Sequence, residues 1–409
     1  MGALCLAVPA LADPAAAPGT LQNARLSPGI YPVNPALGQD VPLREPYDPF
    51  FDIDWSVSLR GAYTKATESE RFDVLVSPSV TLQHTGVRSA ISIDASAEMV
   101  RPKEGQVDVT SLRLGLSTGY ALDSQTKLSA NGSLSITRAL AGTPGVASTI
   151  AVAPQTITGS GELGLTRTFG MFNVGVTGAL GRSVYGQTTL TSGAMQDNSE
   201  QNYWSSNAKL RVGYQATPIF EVFGTAGVGR DMFDMTSASL GVRPDATTTT
   251  LEAGVTGRWN STLEVTASTG VAMVRYDAAG LGEVNTQLYN ASVSYMPDPT
   301  LRMRLGLSTT VAPPGPSAGG TTRVGYGVTG DLTYALNSRL ALRASADWNT
   351  ATFAGSPRTE KGYGWGLGAD YTLNTHTAVT ADYDYDQSES SVDGTKDAHS
   401  VKVGVTLKR

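Results

Sequence analysis

The chain has 409 residues, of which 45 are glycine and 16% are charged, and its formal net charge is -6. This length suffices for one large domain or for several. The negative charge argues against nucleic acid as a partner, because nucleic-acid binding needs a basic surface. The sequence also contains no apolar run of the roughly 18 residues that a transmembrane helix needs, which excludes such a helix.

The opening stretch GALCLAVPALA is apolar and ends in Ala10-Leu11-Ala12 before Asp13. This pattern is typical of the apolar region and cleavage site of a secretory signal peptide, although the positively charged start is missing. We predict a signal peptide over residues 1–12, with a disordered Ala/Pro-rich terminus as the alternative. Cleavage there would remove Cys5, the only cysteine of the chain. The sequence around Cys5 does not match a lipoprotein pattern.

Residues 13–53 are rich in proline and show no sustained period, as in SPGIYPVNPALGQDVPLREPYDPF. We predict an extended N-terminal segment here. From residue 54 to residue 409 the pattern changes to alternation.

Apolar and polar residues alternate in VRSAISIDASAEM, LRMRLGL, NAKLRVGY and AVTADYDYD. In the first of these, Ile91 and Ile93 share one parity, whereas Ser92 and Asp94 occupy the other. The two parities of a β-strand lie on opposite faces. Since helical spacing is not sustained anywhere, the pattern predicts an all-β fold.

The alternating segments number about 18, with 16 as the next choice. Most run for about 10 to 14 residues, longer than the usual globular strand and long enough to cross a membrane at a tilt. They begin near residues 54, 70, 87, 106, 126, 157, 171, 202, 219, 248, 262, 284, 299, 322, 339, 361, 376 and 397.

Tight turns such as QHTGV, ALDSQ and ALNS alternate along the chain with longer stretches such as RALAGTPGVASTIAVAPQ and VAPPGPSAGGT. This asymmetry is expected of an antiparallel up-and-down outer-membrane β-barrel, with short periplasmic turns and longer extracellular loops. A soluble double sheet would alternate as well. We favour the transmembrane barrel because charges largely avoid the apolar parity, and because a closed barrel satisfies every backbone hydrogen bond in lipid.

Aromatic residues recur as the last apolar-parity residue before a short turn. Tyr334, for example, shares its parity with Val324, Tyr326, Val328 and Leu332 and precedes the Asn337-Ser338 turn. Such a ring keeps its body in lipid and its polar tip at the wet interface. The pattern predicts a periplasmic aromatic girdle of Tyr120, Tyr214, Trp259, Tyr295, Tyr334 and Tyr371.

The stretches YDPFFDIDWSVSLRGAYT and LVSPSVTLQHTGVRSAISIDASAEM resemble the opening hairpins of the putative beta-barrel porin type 2 family of bacterial outer-membrane proteins. The repeated tyrosine-turn phrases and the total length fit as well, so the resemblance covers most of the chain after about residue 47. It implies an outer-membrane location, with lipid and lipopolysaccharide around the barrel and the barrel-assembly machinery as a partner during biogenesis. None of its motifs identifies a transported solute.

The polar parity carries nearly balanced basic and acidic residues, so the sequence does not predict an ion selectivity. Three carboxylates, Asp382, Asp384 and Asp386, follow one another about 7 Å apart on one face. They would form either a cation-attracting strip or divalent-ion site, or a ladder neutralised by Lys402 and Arg343, which is the reading that we favour. The candidate lumen-facing residues are Lys209, Arg211, Arg302, Arg304, Arg343, Asp382, Asp384, Asp386 and Lys402.

The three histidines, His84, His376 and His399, are too scattered to suggest a metal cluster or a catalytic triad. The glycine run GYGWGLGAD is not followed by a helix, which argues against a nucleotide-binding loop. We therefore expect no enzymatic activity, no metal site and no cofactor.

These observations favour a porin-like channel for the passive passage of small hydrophilic solutes. The alternatives are a barrel for the export or assembly of surface polysaccharide, and a structural outer-membrane protein without transport. Residues 13–53, when extended, are long enough to enter a lumen, so a plug stays open as an alternative. The oligomeric state is not predicted.

Overall fold

The structure, a computed structural model, describes residues 50–67, 69–103, 107–316 and 318–409. The chain divides into two compact units, Met1–Phe50 and Phe51–Arg409. The predicted signal peptide over residues 1–12 and nearly all of the predicted Pro-rich segment over residues 13–53 lie outside the described residues. In the described part of the chain, no helix is long and apolar enough to cross a membrane.

The second unit consists of long antiparallel strands. They are β1 (Asp52–Ala66), β2 (Ser69–Thr85), β3 (Ser89–Pro102), β4 (Asp108–Ala121), β5 (Thr126–Arg138), β7 (Gln155–Phe169), β8 (Phe172–Tyr185), β11 (Tyr203–Gln215), β12 (Phe220–Phe233), β13 (Ala246–Trp259), β14 (Leu263–Tyr276), β15 (Glu283–Asp298), β16 (Leu301–Ala312), β17 (Thr322–Ala335), β18 (Leu340–Ala354), β19 (Thr359–Asn374), β20 (Thr377–Ser390) and β21 (Gly394–Lys408). Short strands β6 (Ile150–Val152), β9 (Thr188–Leu190) and β10 (Met195–Gln196) lie in the connections, together with 3-10 helices at Ser199–Gln201 and Ala279–Leu281.

Each long strand pairs with the long strand that follows it, and β1 pairs with β21, so the 18 strands form a closed barrel. The prediction of an antiparallel up-and-down barrel is confirmed, with 18 strands and not 16. The predicted strand starts agree closely with the observed ones, and the largest difference lies between residue 397 and Gly394.

The two ends of the barrel differ in the length of their connections. At one end, here called the turn end, short turns follow β2, β4, β7, β11, β13, β15, β17 and β19. The opposite end, here called the loop end, carries the long connections over residues 139–154, 186–202, 234–245 and 313–321.

Side-chain carboxylates and amides close several of the short turns. Asp123 Oδ1 accepts hydrogen bonds from the backbone N–H groups of Gln125 and Thr126, both at 2.7 Å. Asn337 and Asp298 accept bonds in the same way from the residues that follow them. Because Asx turns of this kind reverse the chain within a few residues, the short polar phrases of the sequence fix where each hairpin turns.

Alternate residues face opposite sides of the wall. In β21, Val401, Val403, Val405 and Leu407 are about half exposed and form one stripe, whereas Lys402 lies on the other face. The loop-end connection over residues 139–154 lies against the polar parity of distant strands, where Leu140 packs on Ala62, Leu75 and Val100, so that parity lines the lumen. The apolar parity is therefore the outer face, and its exposed aliphatic side chains are suited to lipid.

The wall overlaps itself at the loop end between β15 and β16. Val311, on the outer parity of β16, packs against Ala246, Val274 and Tyr276, which lie on the inner face of β13 and β14. Tyr276 also hydrogen-bonds Thr322 at the start of β17. The upper part of the β16–β17 hairpin thus lies inside the wall formed by β13 to β15.

This overlap corrects part of the predicted lipid-facing surface. Val324 and Tyr326 share the apolar parity of Tyr334, but Val324 is only 8% exposed. The Tyr326 hydroxyl lies 3.3 Å from the hydroxyl of Thr286, on the inner parity of β15. Both side chains therefore face a second protein layer. Only the part of β17 nearer the turn end directs its apolar parity toward lipid.

We expect the stability of the barrel to depend strongly on charged substitutions in its outer face. Leu163 lies near the middle of β7 and is 64% exposed on the outer face. We expect Leu163→Arg to lower the free energy of unfolding by about 2 to 4 kcal/mol, because a charged side chain is costly at the bilayer midplane. Urea unfolding of the barrel refolded into phospholipid vesicles measures this change.

The matched control is Ala179→Arg, at the same depth on the inner face, where Ala179 is the strand partner of Glu162. This variant should lose little stability, since its guanidinium lies in the lumen beside a carboxylate. Equal losses in the two variants would contradict the assignment of the two faces.

Candidate functional site: the inner wall of the barrel

The structure places the predicted lumen residues on the polar parity of five strands. Lys209 and Arg211 lie on β11, Arg302 and Arg304 on β16, Arg343 on β18, Asp382, Asp384 and Asp386 on β20, and Lys402 on β21. All of them except Asp386 belong to two ion-pair clusters or to one group of cations without an ion pair. Among the described residues Asp386 forms no ion pair, so the neutralised ladder extends over Asp382 and Asp384 alone.

The first cluster holds the carboxylates of β20. Arg343 contacts Asp370 and Asp382, both at 2.7 Å, and Lys402 Nζ lies 3.0 Å from Asp384. Asp382 and Asp384 are thus neutralised by the two cations that the sequence suggested. Within the described residues, no group of three or more His, Cys, Asp or Glu side chains is placed to hold a metal ion.

Glycines of β19 make room for this cluster. Gly368 is the strand partner of both Arg343 on one side and Asp382 on the other. Because Gly368 has no side chain, the guanidinium reaches across one strand to the carboxylate. A Cβ atom at Gly364 would lie only 2.8 Å from carboxylate oxygens of both Asp347 and Asp386. The alternating glycines of GYGWGLGAD are therefore a packing requirement of the inner wall.

The second cluster is centred on Glu221, whose side chain is only 3% exposed. Arg211 and Arg258 contact its two carboxylate oxygens at 2.7 and 3.0 Å. Arg258 also contacts Glu264 at 3.2 Å. The Arg211 guanidinium carbon lies 4.1 Å from the centre of the Phe223 ring, which holds it against the wall.

The sequence singled out Arg211 but not Glu221. Glu221 stands on the polar parity directly after a turn, and its position resembles that of many solvated strand-end residues. Its burial between two arginines depends on strand pairing across β11, β12 and β13, which the sequence around Glu221 does not reveal.

Lys209, Arg302 and Arg304 form no ion pair within the part of the chain that the structure describes. Arg304 is the strand partner of Asp331, yet the two charges do not come within ion-pair distance. These cations are therefore available to a solute in the lumen.

The connection over residues 139–154 crosses the inner face of distant strands. Leu140 packs against Ala62, Leu75 and Val100, which lie on the inner parity of β1, β2 and β3. The Nζ atom of Lys396, a residue that is only 8% exposed, donates to the Val146 carbonyl at 3.0 Å. The segment starts from β5 but reaches β21, so it narrows the lumen at the loop end.

The far part of this segment is joined to the next long connection. β6 pairs with β9, and the Thr191 N–H donates to the Thr149 carbonyl at 2.8 Å. Asn198 is buried and donates to the Gly186 carbonyl and to Thr188 Oγ1. The segment is therefore held at both of its ends. It contains no charged residue.

The predicted girdle residues lie on the outer face at the turn end, near or at the end of β4, β11, β13, β15, β17 and β19. Two further aromatic rings lie beside them. The ring centres of Phe172 and Tyr214 are 5.2 Å apart, and those of Phe220 and Trp259 are 5.4 Å apart. The pattern of rings before turns does not predict Phe172 and Phe220, because they are the first residues after their turns. An aromatic residue directly after a short turn is the signal that identifies them.

Ion pairs also stand on the outer face at the loop end. Arg182 pairs with Asp234, and Arg230 pairs with Asp277. The hydrogen-bonded guanidinium lowers the pKa of each of these carboxyls below its ordinary value. Both ion pairs therefore persist in mild acid, and their stabilising effect is lost only as the pH falls through the lowered pKa values.

The Glu221 cluster predicts a large effect of a conservative change. Glu221→Gln leaves Arg211 without a carboxylate and Arg258 with Glu264 alone, so we expect it to lower the free energy of unfolding by about 2 kcal/mol. Glu264→Gln removes only the half-exposed contact to Arg258, and its cost should stay below about 1 kcal/mol. Urea unfolding in vesicles compares the two variants, and a similar cost for both would refute the central position of Glu221.

A comparison with curated proteins finds no match. Similar solved structures include OpdK of Pseudomonas aeruginosa with vanillate, at 11% identity, with 88% of this chain and 99% of that chain covered and a TM-score of 0.42. OccK3 (OpdO) of Pseudomonas aeruginosa is 12% identical, with 87% and 96% covered and a TM-score of 0.41. A loop deletion mutant of OmpT, an outer membrane protein of Vibrio cholerae, is 15% identical, with 88% and 100% covered and a TM-score of 0.32.

A sequence model of the family described as "Putative beta-barrel porin 2" matches residues 51–409. The match includes every strand of the closed barrel, whose outer face is apolar and whose inner wall is charged. This is the family that the opening hairpins resemble. The chain is therefore a membrane-embedded β-barrel that belongs to the family described as putative beta-barrel porin 2.

Proposed function

We propose that this barrel is an outer-membrane channel through which small hydrophilic solutes pass passively. The observation that carries the proposal is the chemistry of the inner wall. Its ion pairs run along the wall between adjacent strands, as in the contacts of Glu221 with Arg211 and of Arg343 with Asp370, or across one strand, as between Arg343 and Asp382. Since 18 strands enclose a space wide enough for water, these wall charges leave an aqueous path beside them.

The asymmetry of the connections supports an orientation. The turn end would lie in the periplasm and the loop end outside the cell. Outer-membrane lipid and lipopolysaccharide would then surround the apolar face, and the barrel-assembly machinery would insert the chain, as we expect of the outer-membrane class.

The segment over residues 139–154 would set the selectivity at the loop end. It lies against the inner wall, is fastened by Lys396, and carries no charge. A neutral constriction discriminates mainly by size, whereas charge selectivity would arise below it, where Lys209, Arg302 and Arg304 line the wall. This arrangement supports a channel that selects small solutes at the loop end and discriminates by charge further along the lumen.

Planar-bilayer recording tests the proposal most directly. Purified full-length protein should give steady ion conductance after insertion, and swelling of proteoliposomes in small sugars should report passage of neutral solutes. A barrel that inserts but carries no current and admits no sugar would contradict the channel, and would favour the structural or polysaccharide-related alternatives.

The free cations predict a change in ion selectivity. Arg302→Ser combined with Arg304→Ser should make the channel more selective for cations, because the wall loses two positive charges beside Asp331. The reversal potential in a salt gradient measures this change. The matched control removes two cations from the outer parity, Lys65→Ser with Lys361→Ser, and should leave the reversal potential unchanged. Equal shifts in both double variants would show that Arg302 and Arg304 do not line the ion path.

A further inference from the structure

The backbone ladder between β15 and β16 is incomplete. It ends at the pair Ala291 and Leu307, although β15 continues to Glu283 and β16 continues to Ala312. On their other sides both strands stay paired, because β14 accompanies β15 up to Glu283 and β17 accompanies β16 up to Ala312. The upper part of this seam therefore lacks the regular hydrogen bonds of the ladder over several residues of both strands.

Side-chain hydroxyls occupy the place of the missing ladder. The Tyr289 N–H donates to Thr309 Oγ1 at 2.8 Å, and that hydroxyl donates to the Tyr289 carbonyl at 3.0 Å. The Tyr326 hydroxyl lies 3.4 Å from the Gln287 carbonyl. The Thr309 N–H also donates to Asn290 Oδ1 at 3.3 Å. An unpaired backbone group in hydrocarbon costs several kcal/mol, so these side-chain bonds and the apolar packing of the two layers replace the missing ladder.

The two layers of the overlap enclose a crevice. Phe233, Val274, Tyr276 and Val311 are among its apolar lining residues, and its polar ones are Asp231, Thr248, Thr321 and Thr322. Its volume of about 10 Å³ leaves room for no more than a water molecule. The crevice runs between the inner face of β12 to β14 and the outer parity of the β16–β17 hairpin. The two layers are therefore closed on each other, and a larger molecule could pass between these mixed surfaces only if the layers separate.

The outer face beside the seam is polar as well. Asn285 and Gln287 are exposed on the outer parity of β15, above Tyr289. Elsewhere this parity carries mainly apolar side chains, as in β21. Polar groups on both sides of the seam would lower the cost of moving a polar head group between the lumen and the membrane.

We propose that the overlap between β15 and the β16–β17 hairpin is a lateral exit, through which amphipathic solutes move from the lumen into the leaflet at the loop end. The inference rests on the proposed function, since solutes must first enter the lumen. Opening requires the loss of the Thr309 and Tyr326 bonds and separation of two layers, whereas the rest of the wall keeps its ladder.

A disulfide across the seam tests the exit. Tyr289→Cys with Thr309→Cys locks the seam on oxidation, and Ala291→Cys with Leu307→Cys, at a pair that is already in the ladder, is the matched control. All variants carry Cys5→Ser, which removes the only native thiol. The probe is N-phenylnaphthylamine, an uncharged amphipath that fluoresces among acyl chains, and it is added to cells with the barrel in a lipopolysaccharide-bearing outer membrane.

We expect oxidation of the seam pair to reduce probe uptake to the level of cells without the barrel, and reduction to restore it. The control pair should show no change. Ion conductance of the purified variants is measured in parallel and should not depend on oxidation, because the lumen stays open. Absent conductance in every variant would count against the channel itself, whereas normal conductance with uptake unaffected by the lock would overturn the lateral exit alone.

A second pair of variants does not depend on disulfide formation. Thr309→Val removes the hydroxyl that bridges the seam and should increase probe uptake, whereas Thr309→Ser keeps the hydroxyl and should match the native protein. Hydrogen exchange of the β15 amides reports opening independently, and it should be faster in Thr309→Val than in Thr309→Ser. Equal exchange and equal uptake in these two variants would also overturn the inference.

Discussion

The need to hydrogen-bond every backbone group inside hydrocarbon determines the architecture of this protein. An open sheet would leave two edges in lipid, so β1 must pair with β21, and the ladder between them, from Ser56 and Lys408 to Ala66 and Ala398, closes the wall. Closure in turn requires strands that are long enough to cross the bilayer and turns that keep neighbours adjacent. The Asx turns at Asp123, Asp298 and Asn337 supply the second requirement.

Once the ladder is set, the alternation of side chains couples the two faces of the wall. The register that turns Val401 and Val403 toward lipid also turns Lys402 toward the lumen. Charges on the inner face then meet across neighbouring strands, and their pairing depends on what lies between them. Gly368 permits the contact of Arg343 with Asp382, while the burial of Glu221 permits two arginines to share one carboxylate. The inner wall can therefore carry many charges without a single dominant sign.

The sequence predicted the strands well because two local signals agree at each of them, namely the period of two and the polar turn that ends a hairpin. It did not predict which residues a loop contacts. Residues 139–154 are rich in small residues and have no period, and their anchor, Lys396, lies far away in the chain. The alternation along a strand likewise shows which residues share a face, but it does not show whether that face contacts lipid or another layer of the protein. Val324 and Tyr334 share one parity, yet one is buried in the overlap and the other stands at the turn-end girdle.

The overlap at β15 and β16 is the exception to the constraint that shapes the rest of the barrel. A full ladder there would need only that β16 continue beside β15, as β14 does on the opposite side. The chain instead forms hydroxyl bonds through Thr309 and Tyr326 and buries an apolar contact between two layers. These interactions replace part of the lost ladder, but they are fewer and they depend on individual side chains.

The inward segment over residues 139–154 lies on a different arc, against β21 and β1 to β3, so movement at the seam does not require movement of that segment. The proposed hydrophilic path along the barrel axis and the proposed amphipathic path through the wall would thus be physically separable within one lumen.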